Sequence, residues 1–154
     1  MTNTHKIRQL KSLVRLRQLQ HDKSAKKLAV ANMELTEAKE AMLISQARYQ
    51  LVVEMQRKFR QTGSAINPLY YSHQLDAADT AKHFLDESIT KWNQAKINKS
   101  ASLNNFSFHY CQLNVAQNAR TSAIAEYFAL QEQCLLNDCS DQQSKSSTPA
   151  EITT

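Results

Sequence analysis

RQTGSAINPLYY, residues 60–71, holds Gly63, the single glycine of a 154-residue chain, and Pro68, one of its two prolines. A chain this poor in glycine makes few turns, because sharp turns repeatedly need the positive φ that glycine reaches without strain. Gly63 follows a segment ending in Arg57, Lys58 and Arg60, bases that suit the negative end of a helix macrodipole. Asn67 offers a side-chain oxygen as an N-cap, and Pro68 fits the first helical position, where its missing N–H is no loss. The stretch therefore reads as the stop of one helix and the start of another, a single reversal at residues 63–67.

Working outward, positions counted in sevens from Ile7 are Ile7, Val14, His21, Leu28, Leu35, Met42, Tyr49 and Gln56, and the row three residues on runs Leu10, Arg17, Ser24, Ala31, Ala38, Ser45, Val52 and Phe59. After the turn the corresponding rows are Tyr71, Ala78, Leu85, Trp92, Lys99, Phe106, Leu113, Arg120, Tyr127 and Cys134, and Gln74, Ala81, Ser88, Ala95, Ser102, His109, Ala116, Ala123 and Leu130. Each segment carries one row of mostly large and one of mostly small side chains, the heptad signature of a helix that packs closely on one partner.

Two such helices joined by about five residues lie antiparallel, so the expected fold is all-α: a rod-like two-helix antiparallel coiled-coil hairpin over residues 1–139. Helix 1 is expected at about 5–62, spanning roughly 80 Å at 1.5 Å per residue, and helix 2 at about 68–138. Folding back near residue 65 pairs positions whose numbers add to about 130, which sets Ile7 near residue 123 and lets helix 2 overshoot. The overshooting run includes Ile124, Tyr127, Phe128, Leu130, Leu135 and Leu136, either an end cap or an adhesive surface. Within KINKSASLNNFSF, 96–108, clustered Asn and Ser compete with the helical backbone, and a bend or soft region is expected. SDQQSKSSTPAEITT, 140–154, reads as a disordered polar tail.

Charge is uneven along the chain. Residues 1–62 hold 13 Lys/Arg against 5 Asp/Glu and residues 63–154 hold 6 against 9, so the two helices attract. Lys6, Arg8, Lys11, Arg15 and Arg17 precede the first acid, leaving an end that seeks an acidic partner. No apolar run approaches the roughly 20 residues that cross a bilayer and no signal-peptide pattern opens the chain, so a cytoplasmic location is expected.

Enzymatic chemistry is not expected. One glycine cannot build a phosphate-cradling loop. His5, His21, His73, His83 and His109 are widely separated, so neither a metal site nor a cofactor is indicated. Cys111, Cys134 and Cys139 show no pairing pattern and are expected as reduced, partly buried thiols. Asp76 and Asp79 simply suit the start of the second helix. Trp92 stands in a seam row and reads as core.

Two places read as interaction surfaces. Arg8, Lys11 and Arg15 recur at helical spacing with no nearby acid, beside seam residues Ile7, Leu10 and Val14. An acidic protein surface suits them better than nucleic acid, for which no recognition motif is present, although a nucleic-acid or anionic-membrane binder built on the same coil is the alternative. At the turn, Phe59, Tyr70 and Tyr71 form either an apolar plug or a docking tip.

The opening KIRQLKSLVRLRQLQ, the heptad helix containing SQARYQ, the one turn and the returning coil resemble the central stalk family of type III secretion systems, the YscO type, similar in turn to the flagellar export protein FliJ. The resemblance implies a non-enzymatic bacterial virulence-associated stalk, cytoplasmic and peripheral to the inner-membrane secretion apparatus. Its paired ends would insert into a hexameric secretion ATPase and couple hydrolysis to export, with the export gate protein and secretion chaperones as further partners and no nucleic acid. On this chain it implies Arg8, Lys11, Arg15 and Arg17 as ring contacts, with contact to the membrane only through partners.

Overall fold

The computed structural model describes residues 2–61 and 67–147, and within them the chain is two helices, α1 (Asn3–Gln61) and α2 (Pro68–Ser146), paired as an all-α hairpin. Gly63 and the stretch 62–66 lie outside the described residues, as does the tail from 148. The far side of the turn is as expected: Asn67 Oδ1 accepts from the Leu69 N–H at 3.1 Å, and the Tyr71 N–H reaches the Asn67 carbonyl at 3.0 Å, closing the first turn over Pro68. Lys58 and Arg60 occupy the last turn of α1.

The chain divides into two compact units, one formed by Met1–Asp22 with Phe108–Thr154 and the other by Lys23–Ser107. In the Lys23–Ser107 unit every residue of the four expected rows is buried or half-buried. Ala31, Met42 and Ala95 are the most enclosed apolar side chains there, with Ser24 beside them. The small row opposite a large one allows close approach, which is why the two seryl hydroxyls Ser45 Oγ and Ser88 Oγ can touch at 3.0 Å across the seam. Gln56 Nε2 donates to the Gln74 carbonyl at 2.8 Å, and the Phe59 and Tyr70 rings lie 4.9 Å apart. These pairs add to about 130, the register expected from the fold-back. Trp92 is half-buried in the seam, and Lys96 Nζ sits 3.4 Å from its ring centre, a cation–π contact.

In the other unit Leu113, Ala116 and Ala123 are buried, with Ile7, Leu10 and Val14 half-buried. The His21 ring lies 6.0 Å from that of Tyr110. Leu130 and Cys134 depart from expectation: both belong to the seam rows and both are exposed. α1 begins at Asn3, whose counterpart in the register is near residue 127, so the rows beyond that point have no helix opposite.

Three expectations are corrected. α2 does not stop near 138 but continues to Ser146, so residues 140–146 are helix and not disordered tail. No breaker intervenes before Pro149, and the terminal serines bond back along the helix, Ser144 Oγ to the Asp141 carbonyl and Ser146 Oγ to the Gln143 carbonyl. Residues 96–108 are uninterrupted helix, although the two units divide at Ser107 within that stretch. Asn98, Ser100, Asn104, Asn105 and Ser107 all face solvent, while Ala95, Lys99, Ser102, Phe106 and His109 keep the seam period, so packing overrides local preference. Finally, Cys111, Cys134 and Cys139 are exposed free thiols, not partly buried ones.

Candidate protein-binding surfaces

The basic end is built on the first turns of α1. Arg8, Lys11 and Arg15 are exposed and, among the described residues, enter no ion pair; ion pairs lie elsewhere, at Lys58–Glu54 and Lys91–Glu87. Arg17 differs from its neighbours. It occupies the small row, is half-buried, and donates from Nη1 to Gln20 Oε1 at 3.1 Å, so its guanidinium is held along the seam rather than displayed with the other three. Leu13, Leu16 and Leu19 are exposed on the same turns, 37%, 51% and 63% respectively.

Thr2, Asn3 and Thr4 share a groove of about 600 Å³ with Tyr127, Leu130, Cys134, Leu135 and Asp138, where α1 begins and α2 runs on. All of residues 128–147 are exposed, Leu135 and Leu136 by 64% and 70%. Of the apolar run expected to overshoot, Ile124 and Tyr127 remain half-buried and Phe128, Leu130, Leu135 and Leu136 are displayed.

In the Lys23–Ser107 unit, the aromatic residues near the turn are only partly a plug. Tyr71 and Phe59 are half-buried seam residues, whereas Tyr70 is 48% exposed and covers the Phe59 ring from outside. Tyr70 also lines one end of an open apolar groove between α1 and α2. This groove comprises two adjoining hollows of about 540 and 500 Å³ that share Val52 and Ala77. Along it Leu51, Met55 and Phe84 are 59%, 60% and 56% exposed.

Heptad counting toward one partner missed this groove, yet a signal for it exists. Ala41, Ile44, Leu51 and Met55, with Arg48 among them, recur at alternating steps of three and four on α1, a second, mostly apolar stripe beside the first. A helix with two such stripes has one more than a hairpin can cover.

Among the described residues no three His, Cys, Asp or Glu side chains converge on a common point. No described helix is long and apolar enough to cross a membrane. Compared with protein-family models, with curated proteins and with solved structures, the chain matches none.

Proposed function

We propose that this chain is a non-enzymatic stalk that docks its basic end into a ring-shaped, acidic partner, as the central stalks of type III secretion do with a hexameric export ATPase. The observation that carries the reading is the exposed, unpaired set Arg8, Lys11 and Arg15 on the first turns of α1. Unneutralised charge on the exposed face of α1 speeds encounter with an acidic surface, and the apolar side chains beside it supply short-range packing. Arg8, Lys11 and Arg15 are the contact residues in this reading; Arg17 supports them from the seam. Residues 128–147 of α2, exposed beside the start of α1, belong to the same docking end. The export gate and secretion chaperones are further partners in this reading, which places the chain in the bacterial cytoplasm at the inner-membrane apparatus.

The test is phosphate release by the purified secretion ATPase of the same organism, with and without the chain. Stimulation that disappears in the Arg8→Glu/Lys11→Glu/Arg15→Glu variant, with far-UV helicity unchanged, is the expected result. Stimulation surviving the reversal removes the basic-end assignment, and a wild-type chain that neither binds nor stimulates removes the stalk.

A second reading rests on Leu13, Leu16 and Leu19, which stand exposed next to the bases: adsorption of the same end to an anionic surface. Binding to vesicles containing phosphatidylserine, or to random duplex DNA, at 150 mM salt and without any ATPase favours it, and a steep loss with rising salt is its signature.

A further inference from the structure

The Lys23–Ser107 unit carries an open groove between α1 and α2. Its walls are mostly apolar, with Ser45, Gln56, Gln74 and Thr80 among them, and its charged lining residues are Arg48 and Lys58, both basic. Lys58 leans toward Glu54 at 3.8 Å with both side chains well exposed, a weak contact, and Arg48 enters no ion pair among the described residues. A trough between two antiparallel helices, mostly apolar and flanked by two bases, suits an apolar helix face that carries acids at its edge.

We propose that this groove receives an acidic amphipathic helix from a partner protein, completing a local three-helix bundle. Two facts define the occupant. Leu51, Met55, Ala77 and Phe84 repeat at helical spacing on the two walls, so an incoming helix meets them with apolar residues at i, i+3 or i+4, and i+7. Arg48 and Lys58 stand ten residues apart on α1, roughly 15 Å at the helical rise, and acids eleven residues apart, which return to one face of the incoming helix, span about that distance. The site is independent of the basic end: it is built from a different unit and different residues, and it stands whether or not the chain is a stalk.

The probe is a designed 21-residue fluorescent peptide with leucine at the a and d heptad positions and glutamate at two flanking positions eleven apart. A control peptide carries lysine at those two positions. Both are titrated with the full chain at concentrations where the peptide alone is monomeric. The glutamate peptide is expected to bind saturably, at least tenfold tighter than the lysine peptide. Arg48→Glu/Lys58→Glu is expected to invert that preference, and Leu51→Ser to weaken binding of the glutamate peptide. All three side chains are exposed, so the variants keep their helicity, which circular dichroism verifies. Equal affinity for the two peptides, no binding of either, or a preference untouched by the double reversal overturns the proposal. So does sedimentation of the chain as a dimer that Leu51→Ser dissolves, since the groove is then filled by a second copy. Loss of peptide binding with ATPase stimulation intact separates failure here from failure of the stalk reading.

Discussion

Asn67 holds the start of α2 through one side-chain hydrogen bond, to the Leu69 N–H, while its carbonyl accepts the first helical bond from Tyr71. Replacing Asn67 with alanine removes a cap and nothing else, and is expected to cost about 0.5–2 kcal/mol, read as a lower urea midpoint with an unchanged slope; serine at this position should restore most of it. The small row is a second residue-scale determinant. Ala95 is 7% exposed and faces the partner helix, whereas Ala101 on the same helix is exposed. Ala95→Leu is expected to destabilise by about 1–3 kcal/mol through overpacking. Ala101→Leu should stay within about 0.5 kcal/mol, since leucine and alanine are both good helix formers. Equal effects at the two positions would mean that close approach of the helices does not depend on the small row.

At the scale of the element, α2 is two different helices in one. Up to Tyr127 it is ordered by a seam against α1; from Phe128 to Ser146 every residue is exposed, and local bonds such as those of Ser144 and Ser146 run along the helix itself. An unsupported helix of that length is marginal in water. Amides of residues 131–147 are therefore expected to exchange at least 100-fold faster than those of the seam-facing part of α2. Deleting residues after Gln131 should leave the unfolding free energy of the remainder unchanged within about 0.5 kcal/mol, read by urea titration. Slow exchange in 131–147 would mean that this stretch has a partner, for which a second copy is the first candidate. The rows predicted here down to individual positions were legible because a heptad records where a partner helix lies. The end of α2 was not legible, because a polar composition that buries nothing is equally compatible with exposed helix and with coil; the backbone bonds of the serines and the absence of a breaker before Pro149 decide it.

Charge divides between the helices, yet among the described residues the Lys58–Glu54 and Lys91–Glu87 ion pairs each lie within a single helix. Attraction between α1 and α2 is therefore diffuse and screened. Raising sodium chloride from 20 to 300 mM is expected to change unfolding free energy by less than about 1 kcal/mol, while binding through Arg8, Lys11 and Arg15 weakens strongly over the same range. A stability change as steep as the binding change would place the seam's strength in charge and not in its apolar rows. The basic end was readable from the sequence, because five bases before the first acid need no tertiary information. Which of them are displayed was not: Arg17 lies in a seam row and turns along it to Gln20.

What the amino-acid sequence determined by itself was the single reversal, the four seam rows and their register, since these follow from local backbone preference and a period of seven. Only the tertiary structure decided which apolar side chains remain uncovered. That quantity depends on where the opposing helix stops, which exposes Leu130 and Cys134, and on how much of each helix's circumference one partner covers, which leaves Leu51, Met55 and Phe84 lining an open groove.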